Sequence, residues 1–235
     1  MQIKTNRLGL FAKFWEPGKV KTRLAGKIGN PNAAKVYHAF LLNLLRNLNR
    51  CGDSRTIAYA PAEKETQFLE LVGQENLTWS IQQQTDGGLG ERMTRFFKSQ
   101  LDAENTKVVL IGSDCLEVDS DTLERAFAAL NENEVVLGPS FDGGYYLVGM
   151  SVFRPEIFRD IAWSTETVLE QTIERMTAEV ISHSLLEQKH DIDHREDLVQ
   201  LRDRMNEKAE ADSKQTESQA DAELLQVIQS VLAQS

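Results

Sequence analysis

The sequence predicts an α/β fold with a mixed, mostly parallel sheet. Short apolar segments rich in β-branched and aromatic residues alternate with longer segments of helical periodicity, which is the pattern of strands joined by crossover helices. Two further strands flank only a Phe-Asp-Gly-Gly turn at residues 141–144, and so short a turn joins antiparallel neighbours. We therefore expect parallel strands with one antiparallel interruption.

The composition is that of a globular protein that must hold any anionic ligand locally. The 235 residues are 41% hydrophobic and 26% charged, with a net charge of −10, so binding of nucleic acid or an anionic membrane through the overall field is not expected. No apolar run reaches the length of a signal peptide core or a membrane span, which predicts a cytoplasmic protein. Cys51 and Cys115 do not make a disulfide framework.

The first half of the chain predicts strands that alternate with helices. A strand at residues 8–12 leads into a basic loop, and Asn30-Pro31 then marks a helix start, with a cap and a first-turn proline. The other expected strands are residues 55–60, 77–81 and 107–114, and the other expected helices are residues 62–72, residues 90–101 and a segment from about Asp121 whose capping box includes Glu124.

The second half contains the hairpin and the chain's last strand. The two hairpin strands lie within residues 134–150, and their turn contains Asp-Gly, a strong hairpin signal. The elements expected after the hairpin are a helix over residues 164–176 capped by Ser164, a strand within residues 178–184 and a helix over residues 193–204 with Asp193 and Glu196 at capping-box spacing.

The composition changes near Asn206, which divides the chain into a domain at residues 1–205 and an appendage at residues 206–235. The first part of the appendage is polar and predicts a linker or a solvated helix. Its end has an apolar stripe, which predicts an amphipathic helix that docks on its own domain or joins two copies as a homo-oligomer. The stripe consists of Leu224, Leu225, Val227, Ile228, Val231 and Leu232.

A basic loop follows the first strand. Lys13, Lys19, Lys21 and Arg23 surround a Pro17-Gly18 turn. Such a loop can bind phosphates through lysine and arginine donors and through backbone N–H groups. It matches neither the P-loop nor the dinucleotide-binding glycine motif, and a solvated basic turn is the alternative interpretation.

Asp114 comes directly after the most apolar strand. A carboxylate there can bind a Mg²⁺ or Mn²⁺ ion that also contacts phosphate oxygens, or it can simply be a turn or cap residue. The Asp-x-Asp pair of many glycosyltransferases is missing, and Glu117 is the nearest other acid.

Two later segments are further candidates. Asp142 lies in the hairpin turn, where Gly143 and Gly144 can present their backbone to a substrate; the spacing alone favours a purely structural turn, and the two roles are compatible with each other. Asp193 can be a helix cap or a second metal ligand with Asp191 near it.

Six motifs together carry a family resemblance over residues 8–204. Taken in the order in which they occur along the chain, these motifs resemble those of a bacterial family of GT-A-type glycosyltransferases. The family is catalogued as a domain of unknown function, and some of its members are assigned to arsenosugar biosynthesis. The resemblance implies a nucleotide-diphospho-sugar transferase fold with three α/β/α layers. The motifs are LFAKFWEPGKVKTRLAG, GLGERM, VVLIGSDC, LGPSFDGGYYLVGM, WSTETVLEQT and DIDHREDL.

The resemblance also implies a site. Asp114 would be catalytic and bind the divalent metal, Asp193 would be a second metal ligand, and Asp142 would position the acceptor or act as base, with Gly143 and Gly144 against the substrate. The residues implied for the nucleotide and its phosphates are Phe11, Ala12, Lys13, Gly18, Lys21 and Arg23. The chain departs from the family pattern at Trp15, Gly88, Leu116-Glu117 and His194-Arg195.

Three functions are compatible with these features. The first is a metal-dependent glycosyltransferase that moves a sugar from a nucleotide-diphosphate donor to a small acceptor. The second is a nucleotidyltransferase that joins a nucleoside triphosphate to a phosphorylated small molecule and releases pyrophosphate. The third is a nucleotide-binding module without catalysis, since a fold alone does not decide chemistry.

Overall fold

A computed structural model of the chain describes residues 5–101, 106–211 and 218–234. Within these residues the strands are β1 (Thr5–Lys13), β2 (Ser54–Ala60), β3 (Ser80–Gln83), β4 (Thr106–Ile111), β5 (Val135–Pro139), β6 (Tyr145–Met150) and β7 (His183–Leu185). The α-helices are α1 (Thr22–Ile28), α2 (Asn30–Asn47), α3 (Glu65–Gln74), α4 (Leu89–Gln100), α5 (Ser120–Ala129), α6 (Val168–Ala178), α7 (Arg195–Ala211) and α8 (Gln219–Leu232). Short 3₁₀ helices cover Ala62–Lys64 and Pro155–Phe158.

The strands form one sheet in the order β3-β2-β1-β4-β6-β5-β7. Only β6 runs against its neighbours β4 and β5, and the other pairings are parallel. The mixed, mostly parallel sheet and its single antiparallel interruption are therefore confirmed. The chain leaves β1 toward β2 and β3 and later returns to place β4 on the other side of β1, which creates a switch point between β1 and β4.

Helices cover both faces of the sheet, as the three-layer prediction requires. On one face, Leu10 and Ile111 pack against Leu44 of α2 and Phe68 of α3. On the other face, Leu110 packs with residues of α4 and α6. Successive residues of a strand contribute to the two clusters in turn, because their side chains point to opposite sides of the sheet.

Some helix starts differ from their predicted positions. The predicted capping box of Asp121 and Glu124 is wrong, because Asp119 has extended backbone and its side chain accepts the Thr122 N–H at 2.8 Å. Ser164 does not cap α6, which begins at Val168. In both places the local pattern predicted the helix correctly but not the residue at which it begins.

The end of the chain packs on the rest of the molecule. Residues 206–211 continue α7, and residues 212–217 of the predicted linker lie outside the described residues. In α8, Leu224, Ile228 and Val231 are buried in a cluster with α1, α2 and α7. The apolar stripe is thus covered within this chain, and its predicted role in a homo-oligomer stays untested.

No helix among the described residues has the length and apolar character needed to cross a membrane. Cys51 and Cys115 are both free thiols, as their isolated positions predicted. Burial raises the pKa of the Cys115 thiol to about 12, which disfavours its reactive thiolate form.

Candidate active site

A cavity of about 520 Å³ lies at the carboxyl ends of β1 and β4, the switch point at which ligands bind in open α/β sheets. Of the predicted site residues, the cavity wall contains Phe11, Ala12, Lys13, Lys21 and Asp114. The other predicted residues are not among its lining, namely Gly18, Arg23, Asp142, Gly143, Gly144 and Asp193.

Lys21 occupies an unusual place at this cavity. Its side chain is only 2% exposed, and its ammonium nitrogen lies 2.6 Å from Asp114 Oδ1, 2.6 Å from the Ile192 carbonyl oxygen and 3.4 Å from Asp193 Oδ1. An ammonium group has three donors, so these acceptors use all of them. The direct phosphate contact predicted for Lys21 is therefore not supported by this geometry.

The backbone of Lys21 is also unusual. Its φ of 46° and ψ of 47° place it in the left-handed region at the start of α1, where residues other than glycine are uncommon. Strained conformations of this kind are kept where surrounding contacts hold them. Here the three acceptors around the Lys21 ammonium group provide those contacts.

Asp193 is tied to the basic loop from the other side. One carboxylate oxygen contacts Lys21, and the other accepts a hydrogen bond from Arg23 Nη1 at 2.8 Å. Asp197, rather than Asp193, caps α7, because its Oδ2 accepts the N–H groups of Asp193 and His194. The helix-cap interpretation of Asp193 is thus wrong, and Arg23 holds Asp193 while lying outside the cavity wall.

Tyr37 joins the ends of the two central strands. Its hydroxyl accepts the Lys13 backbone N–H at 2.9 Å and lies 2.9 Å from Ser113 Oγ. Burial, and secondarily the negative charge of Asp114, raise the pKa of Tyr37 to about 12, so the hydroxyl keeps its proton. The sequence analysis assigned Tyr37 no role at the site, because helical periodicity does not predict which groups a tyrosine hydroxyl will contact.

A second pair of polar residues lines the cavity, with Gln84 directly after β3 and Arg92 on α4. Gln84 is buried and its amide donates to the carbonyl oxygens of Ala12 and Ala58, which leaves its Oε1 to accept from Arg92 Nη1 at 2.9 Å. Gln84 and Arg92 both line the cavity. Sequence reasoning missed this pair, although Arg92 belongs to the GLGERM motif.

The hairpin turn is built by its own residues. Asp142 Oδ1 accepts from Ser140 Oγ at 2.5 Å and from the Gly144 N–H at 2.9 Å, which is an Asx-type turn. Gly143 has φ 87°, and a Cβ there would lie 2.0 Å from the Glu166 carbonyl oxygen. Asp142 and both glycines therefore have a structural role in the turn, whatever else they contact.

Asp191 is the acid whose environment the sequence did not reveal. Its burial, together with the nearby negative charges of Asp142 and Asp114, raises the pKa of Asp191 to about 7. Asp114 follows β4, Asp142 follows β5 and Asp191 precedes α7. Three separate segments therefore bring carboxylates to one edge of the sheet.

The family model for uncharacterized proteins conserved in bacteria, DUF2064, matches residues 44–165. The chain belongs to this family. The predicted family resemblance is thereby confirmed, and no curated protein matches the chain.

Solved structures agree on the fold of this DUF2064 protein. It is similar to a protein from Desulfovibrio desulfuricans G20 described as a proposed nucleotide-diphospho-sugar transferase, with 30% identity, a TM-score of 0.83 and coverage of 99% of this chain and 98% of that chain. The fold is accordingly that of the nucleotide-diphospho-sugar transferases.

Two more distant structures share the fold alone. The inositol-1-phosphate CTP transferase from T. maritima has 11% identity, a TM-score of 0.53 and coverage of 97% of this chain and 98% of that chain. The 4-diphosphocytidyl-2C-methyl-D-erythritolsynthase from Anaerococcus prevotii DSM 20548 has 10% identity, a TM-score of 0.52 and coverage of 83% and 95%.

The donor set of the DUF2064 site fits a divalent cation at one position. The Asp114 side chain is 51% exposed beside the cavity, and carboxylate oxygens are the ligands that Mg²⁺ and Mn²⁺ prefer. Asp193 fits less well, since both of its oxygens already contact protein cations. No group of three or more His, Cys, Asp or Glu is placed to hold a metal ion in the described part of the chain, so the fit depends on Asp114 together with phosphate oxygens.

Proposed function

We propose that this DUF2064 protein is a metal-dependent glycosyltransferase that takes a nucleotide-diphospho-sugar as donor and a small molecule as acceptor. The observation that carries the proposal is the cavity at the switch point, which combines the lysines of the β1 loop with a half-exposed Asp114 held by Lys21. Positive charge and an accessible carboxylate at one cavity are what a diphosphate and its cation require.

The residues divide into those that contact the donor and those that position them. Lys13 and Lys19 are exposed and line the cavity, so they can neutralise the diphosphate as negative charge develops on it during transfer. Lys21 orients Asp114, and Tyr37 fixes the backbone of Lys13. Phe11 and Ala12 supply the wall for the nucleoside, which is a mostly apolar surface with few polar groups.

Asp114 would hold the divalent ion, which when bound supplies positive charge against the departing diphosphate. Asp114 accepts one short hydrogen bond from Lys21 and keeps half of its side chain open to the cavity. This geometry keeps the carboxylate in one place without using both of its oxygens.

A nucleotidyltransferase is the second candidate. It is favoured by the single carboxylate at the end of β4, since the segment Asp114 to Glu117 contains no Asp-x-Asp pair. The two candidates differ in their products, because glycosyl transfer releases a nucleoside diphosphate and nucleotidyl transfer releases pyrophosphate.

We assign the transferase machinery to residues 1–205 and treat residues 206–235 as an appendage, of which α8 packs on the rest of the chain. The cavity-lining residues extend no further along the chain than Ser164. The appendage is connected to the site through α2, which carries Tyr37 and belongs to the cluster that buries the apolar side of α8.

Thermal denaturation with nucleoside diphosphates, nucleotide sugars and nucleoside triphosphates, each with and without Mn²⁺, tests the proposal. A ligand at about 100 times its dissociation constant adds roughly 2.7 kcal/mol, which is about 5–11 °C for a chain of this size. We expect a Mn²⁺-dependent rise in Tm with one nucleotide sugar, and release of its nucleoside diphosphate on incubation.

The variant Asp114→Asn should abolish the Mn²⁺-dependent part of this rise. Asp121→Asn, at an exposed acid on α5 outside the cavity, is the matched control and should behave as the wild type. A rise only with triphosphates, with pyrophosphate as product, would support the nucleotidyltransferase instead. Binding without any turnover would indicate a nucleotide-binding module.

A further inference from the structure

Phe141 and His190 form an aromatic pair at the edge of the acidic residues. Their ring centroids are 4.0 Å apart with an interplanar angle of 16°, so the rings are stacked. Phe141 is nevertheless 56% exposed, because His190 covers only one of its faces. The exposed ring belongs to the residue that directly precedes Asp142 in the hairpin turn.

The pair is held in place by backbone contacts. The Phe141 N–H donates to the Lys189 carbonyl oxygen at 3.2 Å, and the Lys189 N–H donates to the Pro139 carbonyl oxygen at 3.0 Å. Gln188 Nε2 adds a bond to the Ser140 carbonyl oxygen at 3.2 Å. Single exposed apolar residues are common on protein surfaces, but this one belongs to a preformed stack.

The same segment that carries His190 also reaches Asp114. The Ile192 N–H donates to the Asp114 carbonyl oxygen at 3.1 Å, and two residues of extended chain span at most about 7 Å. The segment that carries the aromatic pair is therefore hydrogen-bonded to the backbone of Asp114 two residues after His190. Asp191 lies between His190 and Ile192 in the chain.

The residue that follows Phe141 supplies a carboxylate. Asp142 uses Oδ1 for the turn, and within the described residues no hydrogen bond involves its other oxygen. Carboxylate oxygens accept hydrogen bonds from hydroxyl groups, while an aromatic face packs against the apolar C–H face of a saturated ring. A saturated ring with hydroxyl groups on its edge has both the hydroxyl donors and the apolar C–H face that these contacts need.

We propose that the Phe141–His190 pair is the acceptor subsite of the enzyme and that the acceptor carries a hydroxylated ring, such as a monosaccharide unit. The inference rests on the proposed function, since it names the substrate class for the second half of that reaction. Phe141 would then bind the acceptor, whereas the residues that line the cavity bind the donor.

Titration of the protein with methyl β-D-glucopyranoside and methyl α-D-mannopyranoside, followed through the His190 ring protons by NMR, tests the subsite. The chain contains four histidines, so a His190→Gln variant identifies the signal. We expect at least one glycoside to shift the His190 signals, Phe141→Ala to weaken its binding at least 10-fold, and Phe141→Tyr to retain it. Leu69→Ala, at a side chain that is 54% exposed on α3, is the matched control.

The proposal is overturned if neither glycoside shifts the His190 signals, if Phe141→Ala binds them as the wild type does, or if glycerol or tetramethylammonium binds equally well. The Tm rise with nucleoside diphosphate and Mn²⁺ is measured on the same variants and should not change in Phe141→Ala. Loss of that rise in the wild type would refute the transferase proposal independently of the glycoside result.

Discussion

The ammonium nitrogen of Lys21 lies 2.6 Å from Oδ1 of Asp114, and the two side chains differ sharply in exposure, at 2% and 51%. The lysine is thus part of the interior, while the carboxylate faces the cavity. Because Lys21 also contacts the Ile192 carbonyl oxygen and Asp193, it connects the β1 loop, the end of β4 and the segment before α7. Its position defines the geometry of the proposed site.

Lys21→Met should destabilise the protein and also weaken ligand binding. The change leaves a buried carbonyl oxygen and a carboxylate without their donor, a loss of about 1–3 kcal/mol, which is roughly 2–12 °C in Tm. Differential scanning fluorimetry measures the loss, and titration with a nucleoside diphosphate and Mn²⁺ measures the binding.

Lys19→Met is the control for charge alone. Lys19 is exposed and lines the same cavity, so its loss should weaken diphosphate binding with Tm unchanged within about 1 °C in the free protein. Equal Tm values for the Lys21 and Lys19 variants would contradict the positioning role of Lys21.

Tyr37→Phe should lower both stability and nucleotide affinity. The hydroxyl contacts the Lys13 N–H and Ser113 Oγ, so its removal leaves these groups unpaired at a part-buried site, a loss of about 1–3 kcal/mol. Tyr59→Phe is the matched control, because no hydrogen bond of the Tyr59 hydroxyl is present among the described residues. Similar Tm values for the two variants would show that the Tyr37 hydroxyl does not join the strand ends.

Ile228→Ala should lower the Tm by weakening the packing of α8 within one chain. Ile228 is fully buried between α8 and its neighbours in this chain, and truncation of a buried isoleucine to alanine costs about 2–5 kcal/mol. Gln226→Ala, on the exposed side of α8, should leave Tm unchanged.

Protein concentration distinguishes the two arrangements of α8. For intramolecular docking, the Tm of the wild type and of Ile228→Ala should not depend on concentration, and light scattering should give the same mass for both. A Tm that rises with concentration, or a mass that falls in Ile228→Ala, would indicate that α8 joins two copies.

Glu223→Gln should remove a pH-dependent part of the stability. The hydrogen bond from Arg46 is the main cause that lowers the pKa of Glu223 below its ordinary value of 4.5. A depressed folded-state pKa contributes stability that is present above the unfolded pKa and is lost as pH falls through the folded pKa.

Thermal denaturation of wild type and Glu223→Gln at several pH values measures this contribution. The wild type should have the higher Tm at pH 6–7, and the difference should shrink below about pH 4. A difference that stays constant from pH 7 to pH 3 would mean that the Arg46–Glu223 contact contributes nothing through ionisation.

The sequence alone was sufficient for the order of the seven strands and most of the helices, but it did not predict α1 or the limits of several elements, such as β3, which is Ser80–Gln83 rather than residues 77–81. The alternation of apolar segments determined the mixed sheet, the short Phe-Asp-Gly-Gly turn determined the β5–β6 hairpin, and the basic loop and Asp114 were found after β1 and β4. These features depend on spacing within a few residues, where backbone geometry and side-chain periodicity act directly.

Only the tertiary structure decided what these residues contact. Lys21 contacts Ile192 and Tyr37 contacts Ser113, pairs that are 171 and 76 residues apart in the chain. Gln84, which holds Arg92, is itself bonded to the Ala12 carbonyl oxygen, 72 residues away. Such pairs depend on the order in which strands join the sheet and on how helices pack over it. Local periodicity predicts that an element will form and which of its faces is apolar. Many different neighbouring elements could bury that face equally well, so periodicity does not identify the one that does. The partner of each polar side chain is therefore set by the folded arrangement as a whole.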